Sequence, residues 1–136
     1  MRGSLFAVLM VFGLLAGCET TNQRTTWSDR EIEMLALSTD RTLSWRNYDG
    51  LGDPNKAVYY LGDRELGQGE AGLQVFGRIV EAAPPGARFR VAEYYSPFES
   101  PYREYPMNRS PTWQRIWRTA QERGIAIVYP TLVSQP

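Results

Sequence analysis

The chain has 136 residues, 43% hydrophobic and 22% charged, a length that suits one domain and a composition that excludes the polar, highly charged class unable to bury a core. Fifteen basic and fifteen acidic residues cancel, so no long-range field recruits nucleic acid, and none is expected as a partner. Histidine is absent and Cys18 is the single cysteine, which excludes an intramolecular disulfide, a Ser-His or Cys-His nucleophile pair and the usual zinc sites; no catalytic residue, metal or cofactor is assigned.

Met1-Arg2 is a positive start, and residues 5–15 are an apolar run of the length used by the hydrophobic region of a secretion signal. As a helix the run covers about 16 Å, about half of a bilayer's hydrocarbon thickness, so it is too short to span. It leads into Leu15-Ala16-Gly17-Cys18, which resembles the lipobox of bacterial lipoproteins: a leucine three before the cysteine, two small residues, then Cys. The resemblance covers the first 18 residues, and no family is recognised for residues 19–136. It implies that a dedicated signal peptidase reads Leu15, Ala16 and Gly17 and removes residues 1–17. Cys18 then becomes the first residue of the mature protein, its thiol carrying diacylglycerol. Each buried methylene contributes about 0.8 kcal/mol, so two or three acyl chains hold far more firmly than one. The membrane is thus an expected partner, and the cell envelope the expected location. By the same resemblance, Glu19 in place of Asp leans toward an outer-membrane protein facing the periplasm.

Residues 19–26 are polar and without hydrophobic periodicity, a tether between the lipid at Cys18 and a single domain over 27–136. Ser28-Asp29-Arg30-Glu31 has the pattern of a capping box, and Ile32, Leu35 and Ala36 share a helical face, which predicts a helix over about 28–38 with Trp27 as its staple. Residues 47–56 are turn chemistry throughout. Ala57 to Leu61 is a β-rich run ended by Gly62-Asp63, and Leu73, Phe76, Gly77 and Val80 mark a helix stopped by Pro84-Pro85-Gly86. Phe89 and Val91 alternate with Arg88 and Arg90, which predicts a half-exposed strand over about 87–94, near a sheet edge. A Pro- and Tyr-rich connection follows from Ser96 to Arg109.

The last helix carries the clearest local signals: Ser110 to cap it, Pro111 at its first position, Trp113, Ile116, Trp117 and Ala120 on one face, and Gly124 after its end. Ile125 to Tyr129 is a continuous apolar run ended by Pro130, the pattern of a central strand in a parallel sheet. The order β-α-β-α-β predicts a small α/β fold, a three-stranded and mostly parallel sheet with helices packed on it, preceded by an N-terminal helix.

Gly67-Gln68-Gly69-Glu70-Ala71-Gly72 is a literal GxGxxG between a predicted strand and a predicted helix, and Glu93 follows Gly72 by 21 residues, where dinucleotide-binding folds place an acid. Against that reading, Gly67 does not follow the strand directly, and Glu70 puts negative charge where a pyrophosphate would sit. A looser reading keeps Asp63, Arg64, Gly67, Gly69, Gly72 and Glu93 as a ligand-binding loop for a small anion or sugar, with residues 62–70, 94–97 and 130–133 converging at the strand ends.

Aromatic and basic residues are densest over Tyr94, Tyr95, Phe98, Tyr102, Tyr105, Trp113 and Trp117, mixed with Arg103, Arg109, Arg115 and Arg118. Such a mixture can stack a sugar or peptide, although aromatics at helical spacing more often face a core. Asp63 with Glu65 or Glu70, and Glu93 with Glu99 or Glu104, are the carboxylate pairs that hydrolytic chemistry would need. The favoured reading is an envelope lipoprotein whose non-catalytic α/β domain binds an envelope protein or the cell wall. The alternatives are a small-ligand site at the glycine loop and a carboxylate-based hydrolase.

Overall fold

A computed structural model describes residues 27–48, 52–93 and 105–130. The signal segment, Cys18 and its tether lie outside the described residues, as do Tyr94, Tyr95, Phe98, Tyr102, Arg103, Glu99 and Glu104.

Among the described residues the fold is α/β, with a five-stranded mixed sheet and three helices. In chain order these are α1 (Asp29–Ala36), β1 (Thr42–Arg46), a 3-10 turn (Pro54–Lys56), β2 (Val58–Leu61), β3 (Arg64–Gln68), α2 (Gly69–Ala82), β4 (Arg88–Val91), α3 (Pro111–Arg123) and β5 (Ala126–Val128). The strand order is β3-β2-β1-β4-β5; β1, β4 and β5 run parallel, and β2 and β3 form an antiparallel hairpin added to β1.

Two strands go beyond the predicted three. β1 alternates Thr42, Ser44 and Arg46 with Leu43 and Trp45, and only the latter pair faces the helices. β3 follows β2 through the two-residue turn Gly62-Asp63, whose Gly62 at φ 60° takes the left-handed position that such a hairpin demands. Residues 64–68, read from the sequence as part of a ligand-binding loop before α2, are therefore paired strand.

The predicted strand positions are also corrected. β5 lies at an edge rather than at the centre, and β4 lies inside the sheet between β1 and β5. The alternation in β4 reports a face that no described element covers, not a missing neighbour. Phe89 and Val91 are buried under helices while Arg88 and Arg90 are exposed on the other side.

The helices cover one face. Ile32 and Ala36 of α1, Leu73, Phe76, Ile79 and Val80 of α2, and Trp113, Ile116 and Ala120 of α3 are buried with Leu43, Tyr59, Leu61 and Phe89 of the sheet. Central α2 packs on α1, α3, β2 and β3. It approaches α3 closely enough at Gly77 that an added Cβ would lie 3.2 Å from Ile116 Cγ1. The Ser28 capping box forms as expected: its Oγ accepts the Glu31 N–H, and Glu31 Oε1 accepts the Ser28 N–H, both at 3.1 Å. α3 is capped as expected as well, by Ser110 at its start and by Gly124 at φ 70° at its end. No helix among the described residues is long and apolar enough to cross a membrane.

On the opposite face, Thr42, Ser44, Arg46, Val58, Tyr60, Arg88 and Arg90 point away from the helices, and no described element packs over them. The domain is thus a two-layer sandwich with one sheet face open among the described residues.

Candidate functional site

The glycine motif is built by a close approach of α2 to β3. Gly67 sits in β3 at φ 140°, beside an irregularity in its pairing with β2, and Gly69 begins α2 at φ 60°. A Cβ at Gly72 would stand 2.2 Å from the Gly67 carbonyl oxygen, and one at Gly69 would stand 2.9 Å from that of Asn55. Both are shorter than atoms tolerate, so backbone packing alone demands glycine at these positions. The junction is pinned further by Gly69 N–H donating to the Ala57 carbonyl at 2.8 Å and Gln68 Nε2 donating to the Asn55 carbonyl at 3.3 Å.

Glu70, in the first turn of α2, is engaged across the helix layer: Ser110 Oγ donates to its Oε2 at 2.6 Å. A carboxylate therefore already faces the positive end of the α2 dipole, and a bound anion there would meet its charge. The same Ser110 Oγ accepts the Trp113 N–H at 3.3 Å, so one hydroxyl serves the α3 cap and the α2 acid.

The other loop candidates are divided between the two ends of the sheet. Because β2 runs against β1, Leu61 pairs with Leu43 while Val58 pairs with Arg46; in turn Arg64 pairs with Leu61 and Gln68 with Val58. Asp63 and Arg64 therefore lie where β1 begins, and Gly67, Gly69 and Gly72 lie toward the end where β1 finishes. Glu93 follows β4, three strand spacings or about 14 Å from β3. The expected convergence of 62–70 with the ends of the parallel strands fails for 62–64 because the hairpin reverses direction, while 94–97 and 131–133 lie outside the described residues.

Arg64 is occupied near α1, with Nη2 3.2 Å from Glu31 Oε2 and its guanidinium 4.7 Å from the centre of the Trp27 ring. The Ser28 backbone and hydroxyl donors, then Arg64, hold the Glu31 carboxyl below its ordinary range.

The described part of the aromatic region belongs to the core. Rings run in contact from Trp45 to Tyr105 (centroids 5.3 Å apart), Tyr129 (5.0 Å), Trp117 (6.0 Å), Trp113 (6.3 Å) and Phe76 (5.9 Å). Tyr105 and Trp113 are buried and Trp117 is half-buried. Arg115 turns back to donate to Thr112 Oγ1 at 3.0 Å, and Arg118 is exposed. Burial raises the Tyr129 phenol, and it raises Tyr59 further, helped by the charge of Glu70, so neither is an acid near neutral pH.

A groove of about 300 Å³ lies between α1 and α2, lined by Asp29, Ile32, Glu33, Arg78, Glu81 and Ala82. It contains none of the candidate loop residues. Its cation is already held, because Arg78 donates to the Trp27 carbonyl at 3.1 Å and to Asp29 Oδ1 at 3.0 Å. Among the described residues no group of three or more His, Cys, Asp or Glu is placed to hold a metal.

What remains with side chains turned to solvent is the open sheet face. Arg88 and Arg90 are exposed and in no ion pair among the described residues. Arg46 is exposed with its guanidinium 4.6 Å from the centre of the Tyr60 ring. Sequence reading passes over this face because its residues come from β1, β2 and β4, and β1 is not among the predicted strands. The period-two alternation in Thr42–Arg46 is the signal that marks it. No family model matches the chain, and no curated protein or solved structure was found similar to it.

Proposed function

We propose that the chain is a lipid-anchored protein of the bacterial cell envelope, held in the outer membrane facing the periplasm, whose α/β domain is a non-catalytic binding or structural module. The observation that carries the reading is Leu15-Ala16-Gly17-Cys18 placed directly behind an apolar run too short to span a bilayer. Acylated Cys18 is the anchor, residues 19–26 are the tether, and the domain works within reach of the membrane surface.

The non-catalytic part is supported by how the acids are used. Glu70 accepts from Ser110, Glu31 closes a helix cap, and Asp63, in the turn between β2 and β3, and Glu93, after β4, lie at different ends of the sheet. The glycines of the ligand-loop alternative have a steric reason of their own. Binding through a surface is what the arrangement supports best.

Replacement of Cys18 tests the anchor. Cys18→Ser is expected to abolish incorporation of radiolabelled fatty acid and to leave residues 1–17 attached, whereas the native chain is labelled and shortened. Equal labelling of both proteins contradicts the proposal.

A further inference from the structure

The open face of the sheet combines a line of cations with a floor of small polar side chains. Arg88 and Arg90 are two residues apart on β4, so they project on the same side about 7 Å from each other. Arg90 is level with Thr42 in the parallel register, and Arg46 lies four residues further along β1, about 13 Å beyond it. The three arginines therefore span about 20 Å along the strand direction. Thr42 and Ser44 lie between them, and Ser44 is level with Tyr60. The acids near this face are marginal: Glu65 stands on the far strand β3, paired with Tyr60, and Asp40 turns its Oδ1 onto the Thr42 N–H at 3.1 Å.

We propose that this face binds the carboxylate-bearing glycan-peptide polymer of the cell wall, peptidoglycan, with Arg88, Arg90 and Arg46 taking successive carboxylates and the Tyr60 ring and the Thr42 and Ser44 hydroxyls taking the sugar or amide groups between them. The inference rests on the envelope reading above, which puts the domain where such a polymer is. Charge complementarity selects an anion, and the length of the charged line selects a linear polyanion over a single small ion. Guanidinium forks suit carboxylates in particular, since two parallel N–H donors match two oxygens. A lipid surface fits less well, because the aliphatic side chains on this face, Val58 and the residues level with Arg88 and Arg90 on β5, Ala126 and Val128, are short and half-buried, and none projects to insert. Of the large exposed hydrophobics among the described residues, Met34 at 63% lies in α1 and Leu37 at 66% caps its end, both in the helix layer.

The test is cosedimentation of the full, detergent-solubilised protein with purified peptidoglycan sacculi, using protein whose acylation has been read by mass. Binding is expected to weaken as salt is raised, to fall by about tenfold or more in the double variant Arg88→Gln, Arg90→Gln, and to fall similarly on sacculi whose free carboxyls have been amidated. Both arginines are exposed, and an unchanged unfolding midpoint in the variant establishes that it is folded. Absence of sedimentation, undiminished binding by a folded variant, or undiminished binding to amidated sacculi overturns the proposal. Displacement by anionic phospholipid micelles at equal charge, with no displacement by soluble peptidoglycan fragments, also overturns it and assigns the face to lipid. A chain that lacks acyl groups yet binds sacculi through these arginines upholds the surface and removes the lipid anchor. An acylated chain that does not bind removes the surface alone.

Discussion

Gly72 and Gly124 are glycine for different reasons, and the difference separates a structural motif from a ligand loop. At Gly72 a methyl group would collide with the Gly67 carbonyl, whereas at Gly124 there is open space and only the φ of 70° is demanding. Gly72→Ala is therefore expected to destabilise by about 3 kcal/mol, as backbone cannot yield like a side chain, and Gly124→Ala by about 1 kcal/mol. Urea unfolding of the two variants measures both, and equal small losses would contradict the close approach of α2 to β3. Glu31 provides a test in pH. Its folded pKa is lowered, so the stability it contributes is present above its unfolded value of about 4.3 and is lost as pH falls through the folded value. The stability difference between the native chain and Glu31→Gln should shrink as pH falls below about 4. A difference constant from neutral pH to strong acid would contradict the capping box. At this scale the sequence is legible where a residue acts on its own helix, as with Ser28, Ser110 and Gly124. It misleads where a residue acts across the fold: Gly67 and Gly72 resemble a phosphate cradle because the chain does not display how near β3 comes to α2.

Ser110 joins two elements, and the strength of α3 depends on it. Its hydroxyl accepts the Trp113 N–H and donates to Glu70, so Ser110→Ala removes a helix cap and leaves the α2 acid without that donor. A loss of about 2 kcal/mol is expected in chemical denaturation, most of it absent in Ser110→Thr, which keeps the hydroxyl. A loss within about 0.5 kcal/mol, the range of ordinary surface changes, would show that the Ser110–Glu70 contact carries little. Helices are legible because caps and periodicity are local. Strands are legible where the apolar run is long, as in Ala57–Leu61 and Ile125–Tyr129, or where core residues alternate with charge, as in Arg88–Val91, while Thr42–Arg46 and Arg64–Gln68, with two and one core residues, do not stand out. Strand order is not legible either. β1 precedes the hairpin in the chain yet inserts between β2 and β4, which moves β4 inward and leaves β5 at the edge.

At the scale of the molecule, a chain with no formal net charge nevertheless presents three arginines along a sheet face that no described element covers, with the described acids spread over helices, turns and the margins of the sheet. Composition conceals this because counting charges discards their direction. Only the parallel pairing of β1 with β4 brings Arg46 onto the same face as Arg88 and Arg90, and that pairing joins segments more than 40 residues apart in the chain. The anchor is legible in the opposite sense, since it is a linear signal read by processing enzymes and owes nothing to the fold. Substituting Arg88 and Arg90 by Gln should leave stability within about 0.5 kcal/mol, so any loss of cell-wall binding reports on the surface itself. The most direct measurement is the mass of the amino-terminal peptide of the native protein isolated from membranes. The expected peptide begins at Cys18 and bears diacylglycerol on sulfur. A peptide beginning at Met1, or one with an unmodified Cys18 thiol, would contradict the lipid anchor.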